Sequence, residues 1–248
     1  MRIAALFDIH GNVPALEVVL EDVRRAKVDE VIVGGDVFPG PMPFEALSLL
    51  RALDIPVRFI KGNGDRVVLQ ARKGDDISEV PGPYQNVVRW AAQSLSDADY
   101  AQIVDWPRML RLTVDGAGEV LFCHATPRND TEIFTRRTLE SRLLPVFEDV
   151  NVRLVVCGHT HMQFDRMVGR TRIVNAGSVG MPFGEPAAYW LLVGPDVELR
   201  RTTYDLSRAA DRIRETDYPQ ADEFATQSIL HPPSEEQMLA AYSRVELK

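Results

Sequence analysis

The sequence predicts an α/β fold in which two β-sheets pack face to face and helices cover the outside. Three observations predict it. Short apolar runs alternate with amphipathic, helix-period stretches over residues 3–65, the pattern of parallel strands joined by right-handed crossovers. Strand-like runs separated by Gly or Pro turns dominate residues 109–204, where antiparallel signals are richer. Helical segments occur in both halves and can cover both sheets.

Taken in order, "IAALF" (3–7) reads as a buried strand. A helix follows over 12–28: Asn12 can cap it, Pro14 suits its first turn, and Leu16, Val19, Leu20 and Val23 recur at helical spacing. "EVIVGGD" (30–36) is a second strand, "FEALSLLRAL" (44–53) an amphipathic helix, and "VRFIKGNGD" (57–65) a third strand ending in a glycine turn. Residues 66–106 read as mostly helical, with a loop around "VPGPY" (80–84), and form a candidate inserted cap. "MLRLTV" (109–114) and "VLFC" (120–123) flank a turn as a β-hairpin. A helix over 139–150 and a strand over 152–157 follow, then "QFDRMVGRTRIVNAG", "AAYWLLVG" and "VELRRTTYDL" as strands. The tail from Ser207 to Lys248 is helical and polar. This divides the strands into a parallel first half and a more antiparallel second half.

The 248 residues carry a formal net charge of -8. Such a field repels nucleic acid and anionic membrane, so neither is an expected partner. A small anionic substrate at a local cationic site remains compatible with it. Cys123 and Cys157 each end an apolar run and read as buried thiols rather than a disulfide. The apolar stretch in "MRIAALFDIH" is too short for a signal peptide, and no run approaches the ~18 apolar residues of a membrane span. The expected location is the cytoplasm.

The chemistry collects after the buried strands. The first is followed by Asp8 and His10, the second by Asp36, the third by Asn63, the strand at 120–123 by His124, and the strand at 152–157 by His159 and His161. Ligands of α/β sheets gather at the carboxyl ends of strands, and four of the five histidines fall into this set. Each motif alone is weak, since Asp8 could cap a helix and "GGD" and "GN" suit ordinary turns. Together they point to metal. Seven ligands exceed what one four- to six-coordinate ion uses, so two ions are expected. Asp36, in the central motif, is the natural shared carboxylate. Mixed Asp/His/Asn ligation fits Mn, Fe, Zn, Co or Ni better than Mg or Ca, with Mn favoured.

The series "DIH", "GGDVFPGP", "GNGD", His124 and "GHTH" resembles the calcineurin-like metallophosphoesterase superfamily, and more closely its compact bacterial and archaeal YfcE-like branch. "NAGSVGMP" (175–182) is similar to that branch's late NPGSVG-type segment. The resemblance implies a four-layer αββα sandwich of two mixed sheets flanked by helices. It implies a metallophosphoesterase domain over 1–206, with 66–106 as a helical cap region and 207–248 as an extension packed on the same domain. Carried over by position, Asp8, His10 and His161 hold one metal, Asp36 bridges, and Asn63, His124 and His159 hold the other. A metal-bridging hydroxide then attacks phosphorus in a small phosphorylated substrate. Asp36, Asn63 and His124 are the residues expected at the chemistry, with Asn63 also touching substrate.

The sequence departs from that family in three places. Gly64 stands where the usual GNHD or GNHE motif has a His that acts on the leaving group. That His is worth ~10²–10⁴ in rate as a general acid, so good leaving groups are favoured here; the plainer reading is a glycine chosen for positive φ. Ala176 replaces a Pro, and Phe183 stands where a polar residue is common. Arg128, soon after His124, is either a bidentate phosphate contact or a solvated loop residue. Asp65 reads as the N-cap of the next helix. A protein-interaction scaffold with a weakened site is a competing function, opposed by the complete ligand set. A nuclease fits the same metals but lacks a basic stripe.

Overall fold

The computed structural model describes residues 1–247; the last residue of the expected extension, Lys248, lies outside them. The first sheet has the order β10–β9–β1–β2–β3, built from Val197–Thr202, Ala188–Val193, Ile3–Leu6, Glu30–Val33 and Val57–Phe59 respectively. The second has the order β4–β5–β6–β8–β7, built from Met109–Val114, Gly118–Cys123, Leu154–Cys157, Thr171–Asn175 and Phe164–Val168. Among the described residues no helix is long and apolar enough to cross a membrane.

The layers follow from strand alternation, because successive side chains leave opposite faces of a sheet. Ile3, Ala5, Ile32, Leu191 and Val193 face Val120, Phe122, Leu154, Val156 and Val174, which forms a core between the two sheets. Ala4, Leu6, Val31 and Val33 point the other way, onto Leu16, Val19 and Leu20 of α1 (Val13–Ala26) and Leu47 and Leu50 of α2 (Pro43–Arg51). Leu121, Val155 and Ile173 cover the outer face of the second sheet together with Leu143, Val146 and Phe147. Those last three belong to helix Glu140–Phe147, the sixth of the chain. The result is the expected helix–sheet–sheet–helix sandwich. Each of these buried Val, Leu, Ile and Phe side chains contributes roughly 1.5–3 kcal/mol, so the three apolar interfaces together dominate the fold.

The first half of the chain forms as the sequence indicates. Asn12 caps α1 by accepting from the Ala15 N–H at 3.1 Å, and the backbone pairs β1 with β2 and β2 with β3 in parallel. The second half is the more antiparallel one, as read, with β4–β5, β7–β8 and β9–β10 all antiparallel, but the sheets do not follow the two halves of the chain. β6 lies between β5 and β8 and is parallel to both, while β9 leaves the second half to pair antiparallel with β1. The reason is the edge of β1. Its second side carries backbone groups that are fully buried, and buried groups must be paired. The β9–β10 hairpin supplies that pairing.

Residues 66–106 are helical as read: α3 (Asn63–Lys73), α4 (Gly82–Ser94) and α5 (Asp97–Ile103). After β10 come α7 (Leu206–Arg214), then α8 (Ala221–Phe224) running into a π-helical turn at Ala225–Leu230, then α9 (Glu235–Tyr242). Ala209, Ala210, Ile213, Phe224 and Ile229 from this tail join the α1–α2 core. Cys123 and Cys157 are buried free thiols, and burial pushes the Cys123 thiol up to about 12.

Candidate metal centre

The loops that follow β1, β2, β3, β5 and β6 meet above the strand ends. The first two run side by side: the His10 N–H donates to the Asp36 carbonyl at 2.9 Å, and the Gly11 N–H to that of Val37 at 3.1 Å. Five residues leave their strands through left-handed backbone: Asp8 (φ 54°), His10 (45°), Asp36 (54°), His159 (67°) and His161 (57°). This region costs a non-glycine residue of order 1–3 kcal/mol, and it gathers at sites where the surroundings enforce it.

The segment "NAGSVG" pins the first loop. Val179 and Gly180 donate their N–H groups to the Phe7 and Asp8 carbonyls at 3.0 Å each, and Ser178 Oγ donates to the Asp8 carbonyl at 2.7 Å. A Cβ at Gly180 would lie 1.8 Å from the Ile9 oxygen, so only glycine fits. Ala176, at the family's proline position, instead uses its N–H to reach the Cys157 carbonyl at 2.8 Å.

The seven sequence-predicted donors converge. His10 Nε2 and His161 Nε2 are 3.3 Å apart, and His161 Nε2 is 3.4 Å from Asp8 Oδ1. Asp36 Oδ2 lies 3.7 Å from His10 Nε2 and 3.5 Å from His124 Nε2, between the two sides of the site. His124 packs edge-on against His159 with ring centroids 5.1 Å apart. Asp8, His10 and His161 form one close group, and Asp8, Asp36 and His124 another. Thr160 turns away between the two histidines of "GHTH", its hydroxyl accepting from Asn175 Nδ2 at 3.1 Å.

Each of these four histidines commits one ring nitrogen to a backbone carbonyl. His10 Nδ1 meets the Pro39 oxygen at 3.2 Å, His124 Nδ1 that of Gly34 at 3.0 Å, His159 Nε2 that of Thr131 at 3.2 Å, and His161 Nδ1 that of Met181 at 2.6 Å. The carbonyl holds the proton of one ring nitrogen, so the other nitrogen offers its lone pair inward once the ring is neutral. Asp8 Oδ1 is fully buried without a hydrogen-bond partner. One end of the Asn63 amide sits 2.9 Å from His159 Nδ1 and 3.0 Å from His124 Nε2, facing acceptors only. The NH₂ satisfies that place by donating, and the oxygen takes it beside a cation. An orphaned carboxylate oxygen, four aimed imidazoles and an amide among acceptors together fit divalent transition metals.

Electrostatics agree. Against the opposing effect of burial, His161 and His124 hold the Asp8 carboxyl below its usual range, and His124 and His10 do the same for Asp36. Burial pulls His10 down and His159 down to about 4. Despite burial, Asp36 and Asp8 lift His124 to about 10, and Asp8 lifts His161.

Two residues needed the structure to explain them. Gly64 does not have a positive φ. Its reason is close approach: a Cβ would lie 2.2 Å from the Phe38 oxygen and 3.0 Å from Asp36 Oδ1, while its N–H donates to Asp36 Oδ1 at 2.7 Å. Asp65 is not the N-cap of α3. That position is Gly62, and Asp65 reaches back from the helix to accept from the N–H groups of Gly62 (2.9 Å), Asp36 (2.9 Å) and Phe38 (3.1 Å). Burial and the nearby Asp36 push its carboxyl up to about 7. Arg66 was not singled out by the sequence. It grips Asp130 at 2.7 Å and Glu79 at 2.6 Å, which holds the loop whose Thr131 carbonyl orients His159. Arg128 is bound instead by Glu132 and is not among the residues around the centre.

Residues 1–194 match the calcineurin-like phosphoesterase superfamily domain. The chain belongs to that superfamily. It is accordingly a metal-dependent hydrolase of phosphoester bonds. An uncharacterized protein of Methanocaldococcus jannaschii, MJ0912, is 25% identical over 242 residues, covering 88% of this chain and 94% of that protein. The crystal structure of hypothetical protein PH1004 from Pyrococcus horikoshii is similar with a TM-score of 0.80 at 22% identity, over 94% of this chain and 99% of that one. A metallophosphoesterase from Sphaerobacter thermophilus gives 0.69 at 24% identity, over 93% and 98%. Both likenesses are of fold, and they extend into the helices after β10.

Two outcomes test the centre. Asp65→Ala leaves three buried N–H groups without their acceptor and is expected to lower the unfolding free energy by about 3–5 kcal/mol in denaturant titration. Metal uptake requires His124 to lose the proton it holds up to about 10. At pH 8, manganese binding is therefore expected to release about one proton or more per chain. Calorimetry in buffers of different ionisation enthalpy reads this, and buffer-independent heats would contradict it.

Proposed function

We propose that this hydrolase works through a dinuclear centre on a small phosphorylated substrate. Asp8, His10 and His161 hold one divalent ion and Asn63, His124 and His159 the other, with Asp36 shared. The observation that carries this reading is the position of Asp36 Oδ2, within 3.7 Å of His10 and 3.5 Å of His124. Two divalent ions there, manganese being the favoured pair, would supply a hydroxide nucleophile and positive charge for the phosphoryl oxygens.

The chain's own residues do the rest. The four carbonyl-anchored imidazoles hold their inward nitrogens at fixed positions, so no reorganisation accompanies the reaction. Asn63 lines the cleft beside His10 and Asp36 and can turn its NH₂ to a phosphoryl oxygen. Nothing at position 64 can donate a proton to the leaving group, since no side chain fits there. The leaving group therefore departs with little acid assistance.

Two measurements follow. Asp36→Asn is expected to reduce bound metal to about one ion or fewer per chain and to lower p-nitrophenyl phosphatase activity at least ~10²-fold; full metal content with full activity would refute the shared carboxylate. Across substituted phenyl phosphates, kcat is expected to rise steeply as the leaving phenol becomes more acidic. A flat dependence would mean that an acid acts from elsewhere.

A further inference from the structure

A cleft of about 460 Å³ opens beside the metal centre, and His10, Asp36 and Asn63 form its floor. Its walls are mainly apolar, with Thr131, Gln220, Gln227 and Ser228 as their uncharged polar members, and come from three separate parts of the chain. α3 and α4 contribute Val67, Tyr84 and Val88. The loop after "GSVG" contributes Phe183, which stacks on His161 with centroids 5.2 Å apart. The far wall is built after residue 194, beyond the matched superfamily domain, by Phe224 of α8 and Met238 of α9.

The charges around this cleft are already engaged. His10 and Asp36 belong to the metal centre. Arg66 is held by Asp130 and Glu79. Glu223 is the remaining charged residue of the wall. Among the described residues, a second phosphate, a sulfate or a carboxylate on the substrate thus meets no free cation in the cleft and does meet a carboxylate. A polyhydroxylated group would find few polar partners for its hydroxyls against mainly apolar walls.

We infer that the substrate is a phosphoester with a single phosphoryl group and an uncharged, largely apolar organic moiety of about two fused rings, seated between α4 and α9. This rests on the phosphoesterase reading and specifies which esters the centre acts on. The volume suits such a group, and apolar walls with few polar contacts are the usual character of small-molecule sites.

The test separates cleft from chemistry. Naphthyl phosphate and phenyl phosphate release phenols of closely similar acidity, so their comparison isolates apolar size. The second ring buries roughly 50 Å² more apolar surface, which corresponds to about a tenfold gain in affinity. The expected result is a tenfold higher kcat/KM for naphthyl phosphate, expressed in KM. Met238→Glu should bring that ratio close to one, with thermal melting to verify folding. The unreactive analogues naphthylmethylphosphonate and benzylphosphonate should show the same tenfold difference in Kd on the manganese-loaded protein. Equal kcat/KM together with equal Kd would overturn the inference and leave the phosphoesterase reading standing. No turnover of either ester, with the tenfold difference in Kd retained, would overturn the phosphoesterase reading and uphold the cleft.

Discussion

Two carboxylates, Asp8 and Asp36, are buried side by side between two β-sheets, 0% and 4% exposed. Buried anions are tolerated only where positive charge and hydrogen bonds surround them. That requirement organises the top of the molecule. Asp8 accepts from the His159 N–H and Asp36 from the Gly64 N–H, each using one oxygen. Each leaves its other oxygen to the histidines. The same loops that present the ligands thereby pair with one another, and the ten strands hold those loops at a common level.

Around this centre, positioning is done mainly by main-chain groups. Carbonyls of Gly34, Pro39, Thr131 and Met181 aim the imidazoles, and N–H groups of Gly62, Asp36 and Phe38 converge on Asp65. Asp65 thus ties the loop after β2 to the start of α3, which carries Asn63. Arg66, one residue on, ties α3 to the loop at Asp130. One short stretch, residues 62–66, links three of the five ligand-bearing loops. Below the network, Phe122, two residues before His124, is buried in the inter-sheet core.

Much of this was legible in the sequence because burial and chemistry leave local marks. A run such as "LVVC" is apolar because both faces of β6 are covered, and His159, two residues beyond it, is a candidate ligand because the strand ends at the site. Asn12 and Pro14 announced α1 for the same local reason. What was not legible depends on contacts between distant residues. The pairing of β9 with β1 joins Leu192 to Ala4 and has no local signature. The reason for Gly64 lies in the carbonyl of Phe38, whose approach no spacing rule reports. Asp65 looked like a cap because its acceptor role is ordinary; only the geometry shows that two of its three donors belong to another loop. Likewise the walls of the cleft are common apolar residues, distinguished by nothing until α4 and α9 face each other across the metal centre.

The left-handed residues Asp8, His10, Asp36, His159 and His161 all lie within four residues of the end of a strand. A ligand carried on a long loop can drift to suit whatever ion arrives. Here the ligands are fastened almost directly to the sheets and have no slack. Their separations are consequently tied to the spacing of strands within each sheet, roughly 4.8 Å, and of the two sheets, roughly 10 Å.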